Sequence, residues 1–234
     1  MRVEIMNISA SNRTDLIAEL SSVDISVPLR SCGRTKEHCE RWSICHWLTA
    51  FNELTFPIKL THRDKPDFHL VTNNLEIGIE HTEAIPEDYA HASAISEKTE
   101  DETVVDMSLF KWGQKRRPQE IYEIAKSTKL TGPGWEGDSP EIQWAVAMSE
   151  IIKHKTSLLR KDDFDKFSRN YLLIYDNLPL PSLDYSKGLD FLREALEQYW
   201  NEILIFNITF IQTDALLMLV EKEEIRSFPS NNIW

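Results

Sequence analysis

The sequence predicts an α/β protein whose core is a helix, a three-stranded meander, a second helix and a strand, with a helix and further strands added C-terminally. Three observations carry this expectation. Residues 35–54 and 139–161 repeat their apolar side chains with a helical period, residues 57–82 alternate with period two, and "NYLLIYDNL" (170–178) is the short apolar run of a buried strand.

The first helix opens at Thr35, a capping residue type, and meets no Pro or Gly before Pro57. Ile44, Trp47, Leu48 and Phe51 share one face, and that face extended toward the N-terminus reaches Glu40 and Glu37. The meander follows as Pro57 to Thr61, Asp67 to Thr72 and Leu75 to Thr82. Asn73 and Asn74 supply the turn, because Asn tolerates the left-handed backbone of tight hairpins. Residues 86–139 read as an excursion from the core. Within it, 86–115 are expected as a long loop or flap near the site, with a short helix near Pro118. Glycines of "GPGWEG" do not make a phosphate loop, since no GK[ST] follows. The second long helix begins at Ser139, a candidate cap, with Pro140 in its first turn. The strand at 170–178, a helix over Lys187 to Asn201 and a β-rich stretch from Ile203 to Glu224 complete the order, as a single domain over 1–234.

Composition bounds the function. Hydrophobic residues at 41%, with seven Trp and ten Phe, suffice for a buried core. No apolar run is long enough to span a bilayer, and the opening residues lack the pattern of a signal peptide, so a cytoplasmic protein without membrane partners is expected. A net charge of −12 opposes long-range attraction to nucleic acid, so any such contact must be local. Two segments are candidates: Lys111, Lys115, Arg116 and Arg117 in "KWGQKRR", and the stretch from Lys153 to Arg169. Each has an alternative reading as ordinary solvated surface.

The chemistry concentrates in "KPDFHLVTNNLEIGIEHTEA" (65–84). Ionised carboxylates withdrawn from water cost several kcal/mol each unless they are paired or bind a metal. Alternation points Glu76, Gly78, Glu80 and Thr82 one way and Ile77, Ile79, His81 and Glu83 the other. Gly78 would leave room beside Glu80. Asp67 starts the neighbouring strand after Pro66, so Asp67 and Glu80 can project toward one point, as oxygen ligands of Mg²⁺ or Mn²⁺ must.

This order of elements, with Pro66-Asp67 on the second meander strand, Glu80-His81-Thr82 on the third and Glu40 on the first helix, resembles the PD-(D/E)XK nucleases, the restriction-endonuclease-like superfamily. The resemblance covers roughly residues 35–85 and 139–180. It implies a metal-dependent nuclease acting on nucleic acid, most simply DNA, with Asp67, Glu80, the backbone carbonyl of His81 and Glu40 as metal ligands. One position departs from the pattern: Thr82 stands where the family has its lysine. Lys155 is a replacement the periodicity supports, because Trp144, Met148, Ile151, Ile152, Leu158 and Leu159 all project within about 60° of it on the second long helix. A lysine in an apolar stripe needs a carboxylate or a route to water; snorkelling to solvent is the plain alternative. In the nuclease reading Lys155 orients the attacking water or stabilises charge in the transition state, and Thr82 contributes a hydroxyl.

Three other readings compete. Asp67 and Glu80 could be structural ion pairs with Arg63 or Arg41. The scaffold could be catalytically inactive, a protein- or nucleic-acid-binding module in a bacterial defence or repair complex. Cys32, His38, Cys39, Cys45 and His46 offer soft zinc ligands, but the spacing lacks a C-x2-C knuckle and Cys39 and Cys45 project about 120° apart on a helix, so free thiols are expected. His69 shares the face of Asp67 by alternation and is a weaker candidate as ligand or base. Oligomeric state stays open, a homodimer included.

Overall fold

The computed structural model describes residues 6–51, 53–99, 102–199, 207–211, 215–220 and 224–229. They form an α/β structure around one mixed sheet of eight strands, whose spatial order follows the chain. Strand β1 (Asn7–Ala10) and helix α1 (Arg13–Ser21) precede α2 (Lys36–Ala50). The meander is β2 (Ile58–His62), β3 (Phe68–Val71) and β4 (Glu76–Ala84). Helices α3 (Glu87–Ser96) and α4 (Pro118–Ala125) lie between β4 and α5 (Ser139–Leu159). Then come β5 (Arg169–Asp176), α6 (Tyr185–Leu196), β6 (Asn207–Ile211), β7 (Ala215–Val220) and β8 (Glu224–Pro229). The Ile203 to Phe206 part of the expected β-rich stretch, and Asn201 at the end of the expected helix, lie outside the described residues.

Pairing is antiparallel from β1 to β4, parallel for β4–β5 and β5–β6, and antiparallel onward. Parallel neighbours require crossovers, and both connections here are helical: the one holding α5, and α6. Because β5 lies between two layers of helices, its apolar residues divide between them. Tyr171 and Leu173 join the core under α1 and α2, with Trp47, Leu48, Leu60 and Ile79. Leu172 and Ile174 join the core under α5 and α6, with Trp144, Met148, Leu189 and Phe210. A strand buried on both faces reads as a continuous apolar run, which is why this one was legible.

Local contacts explain where elements stop. Helix α2 ends at Ala50 rather than 54 because the Arg13 guanidinium collects its last carbonyls, donating to Leu48 at 2.9 Å, Phe51 at 3.2 Å and also Thr49. Phe51 leaves the helix to stack on Trp47, ring centroids 4.6 Å apart. The pattern predicts no element before Thr35, so β1 and α1 were missed: their burial depends on pairing with β2 and on packing under α2. In the hairpin turn at Asn73 and Asn74, the Thr72 hydroxyl accepts from the backbone N–H groups of Asn74 and Leu75. Ser139 does not cap α5; its hydroxyl accepts from the Glu136 N–H, which ties the preceding loop instead.

The expected loop or flap over 86–115 is corrected. Residues 87–96 are helical, 107–109 form a short 3-10 turn, and Ala92, Met107, Phe110, Ile121 and Ala125 bury a small core of their own. The Asp106 carboxylate ties this unit by accepting from the N–H groups of Ser108 at 3.0 Å and Gly132 at 2.6 Å. Short helices whose apolar residues come from separated segments carry too little periodicity to be seen one at a time. Gly78 is also corrected. A Cβ there would stand 2.6 Å from the Phe167 ring and 3.1 Å from Pro66, so the glycine admits an aromatic ring and not Glu80.

Candidate functional site

The site is assembled by α2 and α5 at the end of β2, the start of β3 and the middle of β4. Alternation on β4 holds as expected: Ile77 and Ile79 pack toward α2, where His81 also meets Ser43, its Nε2 standing 2.9 Å from the hydroxyl. Glu80 points the opposite way, to α5. The register Phe68↔Ile79 sets Asp67 beyond the end of β3, beside β4, where its Oδ2 accepts from the His81 N–H at 2.6 Å. Glu40 reaches in from α2, its Oε2 being 2.9 Å from Nε2 of His62 at the end of β2.

Two ammonium groups partner these acids. Nζ of Lys36 lies 2.6 Å from Asp67 Oδ1 and 2.7 Å from Glu40 Oε1, a bridge made by its i,i+4 position on α2. Nζ of Lys155 lies 2.6 Å from Glu80 Oε1 and donates to the His81 carbonyl at 3.2 Å. The stripe lysine of α5 therefore pairs with a carboxylate rather than snorkelling away. The Arg63 guanidinium engages Asp165 instead of these carboxylates, while its backbone N–H donates to the Asp67 carbonyl at 2.7 Å.

Burial makes the electrostatics strong. Glu40 and Asp67 are each 1% exposed and Glu80 is 7% exposed. Burial and the charges of Glu80 and Glu40 push the Asp67 carboxyl up to about 7, against the pull of Lys36. For Glu40, burial also works upward, but the hydrogen bonds from His62 and Lys36 outweigh it and hold the carboxyl at about 2. Burial drives His81 down to about 3, so its ring is neutral. The cluster is thus short of positive charge even with two lysines present.

Access comes through a cleft of about 360 Å³ lined by Lys36, His81, Thr82 and Lys155 together with Arg30, Arg34 and Glu83. The three acids lie beneath this lining rather than in it, a difference from simple convergence on an open pocket. Thr82 is in place to present its hydroxyl in the cleft.

A divalent ion fits this donor set in one specific sense. All the ligands the resemblance implies are hard oxygens, and Glu80 Oε2 is buried without a hydrogen-bond partner among the described residues. Among those residues no three His, Cys, Asp or Glu side chains form a ready array. Lys36 and Lys155 mark where positive charge is stable, and an ion would compete with them for the same oxygens.

Other candidates are dispersed. His69 stands apart from the acids, 3.3 Å from Glu76 and beside the Phe167 ring. Alternation alone misplaced it, because Asp67 lies outside the strand on which the alternation was counted. His38 Nδ1 accepts from the Thr35 N–H at the start of α2, and His46 sits 2.7 Å from the Trp42 carbonyl. Cys39 and Cys45 are buried and Cys32 is exposed, all as free thiols. The "KWGQKRR" segment mostly secures α3 and α4: Lys115 pairs with Glu87, Arg116 reaches the Leu109 carbonyl and Arg117 pairs with Glu120.

Sequence reasoning missed Lys36, His62 and Ser43. Lys36 carried a signal, being four residues before Glu40 on the same helical face. The other two had none, since their roles depend on strand ends meeting α2. Among the described residues no helix is long and apolar enough to cross a membrane. Comparison with protein-family models, with curated proteins and with solved structures returned no match, so the functional reading rests on the geometry above.

Proposed function

We propose that this chain is a nuclease of the PD-(D/E)XK type that hydrolyses phosphodiester bonds of DNA, with Mg²⁺ or Mn²⁺ held by Asp67, Glu80, the His81 carbonyl and Glu40. The observation that carries the reading is a cluster of three buried carboxylates, Glu40 on α2, Asp67 just before β3 and Glu80 on β4, the last of them paired with the stripe lysine of α5. The succession α2, meander, α5, β5 supports it, as does the parallel pairing of β5 with β4. A bound ion would polarise a phosphate oxygen and lower the pKa of water.

The chain's own groups supply the rest. Lys155 is positioned by Glu80 and the His81 carbonyl, so its ammonium can donate to an attacking water or to charge developing on the phosphate. It carries the charge that Thr82 cannot. Lys36 bridges Asp67 and Glu40 and lines the cleft, where it can meet a phosphate oxygen. His62 holds Glu40 in its ionised form.

Changing Glu80→Gln removes one ligand charge at nearly constant volume, so divalent-ion binding by calorimetry and cleavage should both be lost while the far-UV spectrum stays unchanged. One observation favours the inactive-scaffold alternative: both ammonium groups already satisfy acids, so the cluster is compatible with a purely structural role. Wild-type protein that neither binds Mg²⁺ or Mn²⁺ nor cleaves single- or double-stranded DNA or RNA would decide for that scaffold.

A further inference from the structure

One wall of the cleft carries two arginines that the acid cluster does not use. Arg30 and Arg34 each place Nη2 2.6 Å from the same oxygen, Oε1 of Glu83, and Asn177 donates to that oxygen as well, at 2.6 Å. Three donors therefore share one acceptor. Nε of Arg34 is 3.2 Å from Cys39 Sγ, and Arg30 sits in the turn whose Ser31 N–H is held by Glu97 at 2.7 Å. Both arginine side chains are mostly covered, at 16% and 13% exposure.

The charge count separates this wall from the rest of the cleft. Lys36 and Lys155 face three carboxylates, Asp67, Glu40 and Glu80, whereas Arg30 and Arg34 have one carboxylate between them. This wall alone therefore carries one positive charge in excess, in a chain of net charge −12. A guanidinium has five N–H donors in a rigid fork, and Nη1 of both arginines and Nε of Arg30 make no hydrogen bond among the described residues. The forks open onto the same cleft as Lys155 and the N-terminal turn of α2, whose peptide dipoles add positive potential.

We propose that Arg30 and Arg34 form a subsite for a second phosphate of the substrate chain, separate from the phosphate that is cut. The inference rests on the nuclease reading for the identity of the chain and on the arginine geometry for the site. Glu83 acts as the positioning residue. By fixing both forks beforehand it lowers the ordering cost of binding, and its lone charge leaves them attractive to an anion. The phosphate is either an internal diester or a terminal monoester, which the ends of the probe distinguish.

The test uses the full chain in EDTA, so no cleavage is needed and its outcome is independent of catalysis. Binding of a 3′-fluorescein-labelled single-stranded oligodeoxynucleotide is followed by anisotropy across a range of salt. Arg30→Gln and Arg34→Gln should each weaken binding and lower the slope of log K against log salt by about 0.7, the value for one phosphate contact on a single strand. Arg30→Lys keeps the charge against Glu83 and protects the fold. It should leave the slope unchanged and weaken binding several-fold, because a point charge replaces a fork.

Oligonucleotides carrying a 5′-phosphate, or an internal label with a 3′-phosphate, are compared with hydroxyl-ended ones. A preference for one phosphorylated end that disappears in Arg30→Gln marks a terminal phosphate, and equal binding with the reduced slope marks an internal one. Folded glutamine variants with wild-type affinity and slope would overturn the proposal and leave Mg²⁺-dependent cleavage to be judged separately. Should the glutamine variants fail to fold, wild-type affinity in Arg30→Lys would overturn it equally.

Discussion

Replacing Lys155 by Met removes the ammonium from Glu80 while keeping most of the apolar stem. Glu80 is 7% exposed, its Oε1 has the Lys155 contact at 2.6 Å, and its Oε2 has no other hydrogen-bond partner among the described residues. Taking one partner from a buried pair leaves an uncompensated charge, typically at a cost of about 3–5 kcal/mol. The Lys155 side chain is 15% exposed, so water reaches the pair and the lower end, about 3 kcal/mol, is the expected loss. For a chain of this size that corresponds to a fall in Tm of roughly 6–12 °C. Urea unfolding in EDTA measures it, with the Glu80→Gln/Lys155→Met double variant completing a cycle. The double variant should regain much of the loss, because the buried charge is gone. In the nuclease reading Mg²⁺ should also stabilise Lys155→Met more than wild type, since the ion no longer competes with an ammonium for Glu80 and the His81 carbonyl. Unfolding of Lys155→Met within about 0.5 kcal/mol of wild type, or additive behaviour in the cycle, would refute the buried-pair reasoning.

Three further outcomes are expected. Asp67 is raised from 3.8 to about 7 in the folded state, so its contribution is complete below the ordinary value and is lost as pH rises through the folded one. Asp67→Asn cannot lose that proton, so its Tm minus that of wild type, in EDTA, should grow from about pH 4.5 to about 7 and then level off. Glu40, lowered from 4.5 to about 2, acts in the opposite direction, its contribution being lost only as pH falls below that window. A Tm difference independent of pH would show that Asp67 ionises normally. Gly78→Ala should cost about 1–3 kcal/mol by overpacking Phe167, and Phe167→Leu should relieve part of it; thermal melts of the single and double variants check this. Native protein should expose one rapidly titrating thiol, Cys32, with Cys39 and Cys45 reacting only on unfolding, since burial pushes the Cys45 thiol up to about 12. Elemental analysis giving one zinc per chain, lost in Cys39→Ser, would count against free thiols.

The sequence by itself determined those features whose physics is local and periodic. The stripe around Trp144 and Met148, the alternation in 76–82 and the double-faced run in 171–174 each record burial of one element against a layer, so α5, the meander and β5 were legible to within a few residues. The same stripe placed Lys155 on the buried face, and alternation placed Glu80 opposite His81. Partners were another matter. That Lys155 meets Glu80, that Lys36 bridges Glu40 and Asp67, and that Arg13 closes the end of α2 follow from which element lies over which, and no single-segment period encodes this. The same limit hid β1 and α1, and it hid the helical nature of 87–96, whose apolar residues find their core only among distant segments. It also inverted the reading of Gly78, because the ring that needs the space comes from Phe167, close to ninety residues away along the chain. Charge balance was decided by tertiary structure for the same reason. A net charge of −12 describes the whole chain, whereas the cations of the cleft come from the 30–36 segment and α5, which are brought together only when the helices pack on opposite faces of one sheet.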